Sequence, residues 1–399
     1  MKLIIVSPFP PNITGIGQYG FHVSRSLAQS AQFQEITVIA GAKTALRREV
    51  ISSSFTIEFS WHPDQPGAVR AILSEVRRRK PDLVWVNLGA SVFGRSPLAN
   101  LMGFISLGLI KSTGTPTIVT LHELVELADL KTLNAPGGAL ARSGARLLTR
   151  LATQADVVCL TMRRYVDWFA AHRPEVSCVH IPIGAYRAPE LLPEPSTPDL
   201  LFFTTLAPYK GLEVLLAAYR SLLPRYPGLG LTIAGIEHPR FPGYGEAIRQ
   251  ATTGLPGVRW LGQVPEEQVR ALFSRAQVVV LPYVASTGSS SVMYQSAMWG
   301  RALVASDLLE MQAIARESSL EVTFFRNRDV EGLAAAIRCL LDSPARRKAQ
   351  VVHNYTAIQA IRPEETARLY IQAFNRALLA HDIPDRIPIP LEMIPAETG

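Results

Sequence analysis

Short runs of apolar residues recur along this chain with almost no polar interruption, each followed by a helix-length amphipathic stretch. In the first half these runs are Leu3–Ser7, Glu35–Ile39, Leu83–Val86, Thr117–Leu121 and Val157–Leu160. A strand that is apolar at nearly every position must be covered on both faces, which parallel strands flanked by helices achieve. Helical patterns over Gly17–Ser30 and Pro66–Arg79 supply that cover. The segment Ile181–Pro198 is Pro-rich, lacks periodicity and reads as an interdomain linker. A second series follows: Leu200–Thr204, a helix from Gly211, Leu229–Ala234, Val258–Leu261, Val278–Leu281 and Leu303–Ala305. The pattern predicts an α/β protein of two Rossmann-like, doubly wound domains facing a cleft, with ligands beyond the carboxyl ends of the strands. The boundaries are a first domain over 1–183, a linker over 184–198 and a second domain over 199–365. A C-terminal helix and Pro-rich tail over 366–399 would have a route back to the first domain.

The 399 residues suffice for two cores, and a hydrophobic fraction of 48% excludes disorder. Cys159, Cys178 and Cys339 form no CxxC pair and read as buried thiols. The opening apolar run Leu3–Val6 meets Pro8, Pro10 and Pro11, unlike a signal peptide. The longest apolar run elsewhere, Leu101–Ile110, is about half of a bilayer span. A cytoplasmic protein is expected. The net charge is +7, and its distribution is uneven. Residues 1–190 hold 20 Lys+Arg against 13 Asp+Glu, whereas residues 191–399 hold 20 against 20. The excess points the first half toward something anionic. Arg142, Arg146 and Arg150 fall on one face of a helix, and Arg77-Arg78-Arg79-Lys80 adds to the basic surface. This suggests peripheral attachment at the inner face of a membrane, against the plainer reading of a solvated helix face. Nucleic acid is a poorer partner, because no basic-aromatic motif or binding module appears.

Four motifs carry candidate chemistry. Gly15-Ile16-Gly17-Gln18-Tyr19-Gly20 spells GxGxxG before a helix, which lets backbone approach a phosphate. A dinucleotide fingerprint should follow its strand directly, but Pro8 to Thr14 intervenes. The strand ending near Ile39 continues Ala40-Gly41-Ala42-Lys43, without an acid for a ribose diol. An NAD(P)-dependent oxidoreductase is therefore the lesser reading. Lys210, in Ala207–Gly211, stands between a strand and a helix, where it would neutralise a phosphate or simply be solvated. Thr287-Gly288-Ser289-Ser290-Ser291 opens a helix, as an anion site or as a plain serine cap. His122 ends a strand on the edge where ligands gather, with Glu123 beside it. The sequence lacks Asp-x-Asp, HExxH, GxxxxGK[ST] and GxSxG, so no metal site, P-loop or nucleophile elbow is expected.

Taken together these segments resemble a GT-B glycosyltransferase of the retaining family 4. The resemblance covers most of the chain and is strongest over roughly residues 200–345. Gly15-Ile16-Gly17 is similar to the family's first glycine loop, Val119-Thr120-Leu121-His122-Glu123 to its TxHD strand end, and Ile181-Pro182-Ile183-Gly184 to its IPNG linker entry. Lys210-Gly211 matches its Lys-Gly, and Gly300-Arg301-Ala302-Leu303-Val304-Ala305-Ser306-Asp307 matches its GxPVVASD segment, with Glu310 at the following acidic position. The donor site departs from the pattern. Thr287 and Gln295 stand where the Glu-x7-Glu signature has its glutamates, and Thr205 replaces an Arg that precedes the Lys. The resemblance implies transfer of a hexose from a UDP- or GDP-linked donor to a glycan, lipid-linked or small-molecule acceptor, without metal or cofactor, the nucleotide sugar being a substrate. It implies that His122 and Lys210 act in catalysis. Gly15, Gly17, Thr205, Thr287, Gly288, Ser289, Ser290 and Gln295 would contact the donor. The missing glutamates keep a catalytically inactive GT-B-like binding module as the alternative.

Overall fold

The computed structural model describes residues 1–11, 14–42, 45–65, 67–89, 92–127, 138–286 and 288–381. They divide into two units: residues 1–127, 138–186 and 363–381 in the first, residues 187–362 in the second.

The first unit opens with β1 (Lys2–Val6), α1 (Gly15–Gln29) and β2 (Glu35–Gly41), then a hairpin of β3 (Arg47–Ser52) and β4 (Phe55–Trp61). It continues through α2 (Ala68–Arg79), β5 (Leu83–Leu88), α3 (Pro97–Lys111), β6 (Thr117–Leu121), α4 (Gly138–Ala152), β7 (Val157–Leu160), α5 (Arg163–His172) and β8 (Cys178–His180). The eight strands lie in the order β3-β4-β2-β1-β5-β6-β7-β8, parallel except for the antiparallel β3/β4 pair. Strands β1, β5, β6 and β7 are buried almost throughout, because helices cover both faces of the sheet. The β3/β4 hairpin is absent from the sequence expectation. Its outer strand is polar and exposed, so it carries no apolar run to read.

The second unit contains β9 (Asp199–Phe203), α6 (Leu212–Leu222), β10 (Gly230–Ala234), α7 (Tyr244–Ala251), β11 (Val258–Gly262), α8 (Glu266–Ser274) and β12 (Val278–Leu281). It ends with α9 (Ser291–Met298), β13 (Ala302–Ser306), α10 (Leu309–Glu317), β14 (Thr323–Phe325), α11 (Val330–Leu341) and α12 (Pro344–Ile358). Its six strands are all parallel, in the order β11-β10-β9-β12-β13-β14. Leu200, Phe202, Leu215, Tyr219, Ile233, Val280, Val304 and Ile337 share one buried core.

Residues 187–198, at the end of the Pro-rich stretch, lie within the second unit. Leu192 is buried, and Arg301 donates to the Leu192 and Pro193 carbonyls at 3.1 and 2.8 Å. The last helix, α13 (Pro363–Leu379), belongs to the first unit, where Tyr370, Ile371 and Phe374 are fully buried. Of the Pro-rich tail, residues 382–399 lie outside the described residues.

The basic stretch at the end of α2 differs in part from its sequence reading. Arg79 is only 11% exposed and pairs with Glu35, Glu58 and Glu75, while Arg78 pairs with Glu75. Glu35, Glu58 and Glu75 thus meet the charges of Arg78 and Arg79, while Arg77 and Lys80 remain exposed, so the cluster keeps only part of its cationic surface.

Candidate functional site

In a doubly wound sheet the strand order reverses at one point, and the loops leaving the two strands there splay apart into a crevice. In the second unit that point lies between β9 and β12. After β9 the chain makes one 3-10 turn, Pro208–Lys210, before Gly211 opens α6. Gly211 has φ +70°, and a Cβ there would stand 1.8 Å from the Pro282 carbonyl oxygen. Only glycine lets the turn close against the end of β12. The Val284 and Ala285 amides both donate to the Tyr209 carbonyl, at 2.9 and 3.2 Å. Lys210 Nζ is thereby set 3.8 Å above the centroid of the Tyr283 ring and 5.6 Å from that of Tyr209. Tyr283 is buried, and its carbonyl accepts from Ser306 Oγ at 2.6 Å. A ring face steadies an ammonium without occupying its N–H donors, which stay available to an anion.

The loop after β10 adds a second cation. Arg240 N donates to His238 Nδ1 at 3.2 Å, and the Arg240 guanidinium lies 5.8 Å from the Phe241 ring centroid. Tyr209, His238 and Phe241 pack as a cluster with centroids 5.7 to 6.0 Å apart. Burial lowers the His238 pKa, and the charges of Arg240 and Lys210 lower it further. Two cations from adjacent loops therefore act on one imidazole. Nothing in the sequence spacing connects Arg240 with Lys210; the adjacency of β9 and β10 does.

Of the remaining donor candidates, Thr205 is half-buried just beyond β9, and Thr287 lies outside the described residues. The Gly288 carbonyl accepts from Ser286 Oγ at 3.0 Å, and Ser289 stands half-buried beside the Tyr294 hydroxyl. Ser290 is the N-cap of α9, with extended backbone at φ −99° and ψ 107°. Its hydroxyl makes no capping bond, contrary to the expected serine cap, so Ser290 leaves the first-turn amides without a side-chain partner. Gln295 is buried within α9. Asn327, which the sequence reading missed, donates from Nδ2 to the Val284 carbonyl at 3.0 Å, while its buried Oδ1 has no hydrogen-bond partner.

In the first unit the reversal lies between β1 and β5. Asn87, near the end of β5, donates from Nδ2 to Ser7 Oγ at 2.9 Å and to the Ile16 carbonyl at 3.0 Å. Ser7 Oγ in turn donates to the Pro8 carbonyl at 2.7 Å. Asn87 Oδ1 therefore faces His122 Nε2, 2.6 Å away. This network assigns the proton to His122 Nε2 and leaves Nδ1 as an acceptor. Tyr19 packs edge-on against the imidazole at 4.8 Å, and its hydroxyl bonds that of Tyr370, which also bonds Thr120 Oγ1. Asn87 was missed, although it is the one polar residue in the otherwise apolar Leu83–Leu88.

Gly20 is the close-packing glycine of the GxGxxG turn: a Cβ there would stand 2.3 Å from Ser7 Oγ. Gly17 is buried, and its amide donates to Thr14 Oγ1 at 2.9 Å as an N-cap bond. Gly15 faces open space. Among the described residues no group of three His, Cys, Asp or Glu could hold a metal ion.

Burial lowers the His122 pKa from 6.5 to about 3, so the ring is neutral across the physiological range. Burial, with help from Arg163, lowers that of His180 to about 4. The unfolded chain binds protons at both histidines below about pH 6.5, and the folded chain does not until pH 3 to 4. Stability therefore falls as pH drops through that window. The melting temperature should decline from pH 6.5 toward 4, and His122→Gln should flatten the decline. Identical slopes for the two proteins would exclude His122 as a contributor.

Residues 197–343 match the family model described as Glycosyl transferases group 1. The chain is 27% identical over 376 residues to glycogen synthase of Mycobacterium tuberculosis, covering 86% of this chain and 87% of the relative. It is 28% identical over 155 residues to phosphatidyl-myo-inositol mannosyltransferase of Mycolicibacterium smegmatis, covering 37% of this chain and 38% of that protein. Among solved structures, sucrose-phosphate synthase from Thermosynechococcus elongatus superposes with a TM-score of 0.72 at 17% identity, covering 95% of this chain and all of that one. HepE of Anabaena in complex with UDP-glucose gives 0.68 at 16% identity, covering 95% and 100%.

Proposed function

We propose, from the premise that this chain is a GT-B glycosyltransferase with a group 1 domain, that it moves a hexose from a UDP- or GDP-linked donor with retention of configuration. The reading needs neither metal nor cofactor, the nucleotide sugar being a substrate. The observation that carries it is Lys210 held on the Tyr283 ring at the reversal point of the second sheet, where nucleotides bind in such folds. The leaving group is a diphosphate, and its departure is eased by fixed positive charge already in place. Lys210 supplies one such charge, and the amides of Gly288 to Ser290 at the start of α9 add to it. Thr205, Thr287 and Gln295 are assigned to the neutral part of the donor. His122, offering Nδ1 as an acceptor, is assigned to a sugar hydroxyl, and the turn at Gly15 and Gly17 to the donor's phosphates. No protein nucleophile is assigned. The relatives' names support a nucleotide-sugar donor: one neighbour was solved with UDP-glucose. The acceptor is a glycan, a lipid-linked glycan or a small molecule.

Arg240 completes the donor site in this reading. The family's Arg before the Lys is replaced by Thr205, and the charges of Arg240 and Lys210 both act on the His238 imidazole. Calorimetric titration and thermal shift with UDP and GDP test both claims. One of them should raise the melting temperature, since a ligand of the folded state stabilises it. Arg240→Gln should weaken that nucleotide by about tenfold, a cost typical of one charged contact. The parent nucleoside should bind both proteins equally. Adding Thr205→Arg to Arg240→Gln should restore the loss. No stabilisation by either nucleotide refutes the donor reading; normal binding to Arg240→Gln refutes Arg240 alone.

A further inference from the structure

We propose that the outward faces of α3 and α4 form a docking surface for an anionic lipid bilayer. The inference is independent of the donor assignment above. Helix α3 carries no charged residue from Pro97 to Ile110. Its inward face buries Asn100, Phe104, Leu107 and Ile110, which seat it on the first sheet. Its outward face is also apolar. Leu98 is 66% exposed and Leu109 39%, with Leu101, Met102 and Ile105 half-buried along the same stripe. A helix packed on a core normally presents charge to water, and this one does not.

Helix α4 packs beside α3 and supplies the opposite character. Arg142, Arg146 and Arg150 are exposed on it, and Leu147 is 44% exposed. Arg146 lies 3.6 Å from Glu126, a loose surface pair. Neither helix contains Asp or Glu. The pair thus joins an uninterrupted apolar stripe to a row of arginines, unlike Arg78 and Arg79, where carboxylates meet the charge. Leucines of such a stripe sink to the acyl boundary while guanidinium groups stay at the phosphate level. A protein partner fits less well. Hot spots of protein interfaces favour Trp and Tyr beside Arg, and neither helix has either residue.

The experiment is co-sedimentation of the full chain with vesicles of phosphatidylcholine alone or mixed with phosphatidylglycerol. Binding should require phosphatidylglycerol and fall steeply with added salt. Leu98→Gln with Leu109→Gln should weaken it by about tenfold or more, from the apolar area no longer inserted. Gln at Arg142, Arg146 and Arg150 should weaken it by about a hundredfold and remove the salt dependence. All these residues are exposed, so melting temperatures should be unchanged. The proposal is overturned if the wild type ignores the mixed vesicles at low salt, or if both variants bind as it does. It is equally overturned if the wild type is a dimer that the leucine variant converts to monomer, for then the stripe is covered by a second copy.

Discussion

Replacing Lys210 with Ala should lower kcat by about 10² to 10³, while the second unit keeps its circular dichroism and melting temperature. The loss corresponds to about 3 to 4 kcal/mol of transition-state stabilisation. In the proposed reaction the charge on the bridging oxygen of the diphosphate would grow as the glycosidic bond breaks, so the ammonium would do more for the departing group than for the bound donor. Accordingly kcat should fall further than KM rises. The neighbouring ring provides an internal control. Tyr283→Phe keeps a π face under Nζ and should stay near wild type. Tyr283→Leu removes it and should cost severalfold, the worth of one partly buried cation–π contact of about 1 kcal/mol. Turnover of Lys210→Ala within a few-fold of wild type would remove the lysine from the mechanism.

The largest expected loss of stability is at Arg301. The residue is 2% exposed, and its guanidinium donates to four backbone carbonyls: Phe273 at 2.7 Å, Gly300 at 2.9 Å, Leu192 at 3.1 Å and Pro193 at 2.8 Å. Burial pushes its pKa down to about 10, so it remains charged at neutral pH. The four bonds fasten residues 192–193 and the end of α8 to the start of β13. Arg301→Met fills similar space but leaves those carbonyls without their donor, at a cost of about 3 kcal/mol or more. Unfolding of the second unit should then fall by about 6 to 12 °C. Arg301→Lys keeps the charge but cannot reach all four acceptors, and should lie between the two. A melting temperature unchanged in Arg301→Met would show that solvent satisfies these carbonyls.

The strands that build both sheets were readable because burial on two faces writes itself as unbroken apolar sequence. Val278–Leu281 and Thr117–Leu121 needed no other clue. The β3/β4 hairpin left no unbroken run, since Arg47–Ser52 faces water and β4 alternates, burying Phe55, Ile57, Phe59 and Trp61 between polar residues. Lys210, His122 and the glycine turn were readable from their place between a strand and the next element. Their partners were not, because sequence separation hides them. Tyr283 is brought under Lys210 only by the pairing of β9 with β12, and Asn87 reaches His122 only across β5 and β6. The same blindness made Arg79 look like free surface charge, when Glu35 reaches it from β2 and Glu58 from β4.

The position of α13 sets the order in which this protein can mature on the ribosome. Tyr370, Ile371 and Phe374 complete the interior behind His122, and they are among the last described residues to be made. Vectorial synthesis ordinarily lets the amino-terminal domain mature first. Here everything needed by residues 187–362 has emerged while the earlier unit still waits for its closing helix. The first unit can therefore close only after residues 187–362 have been made.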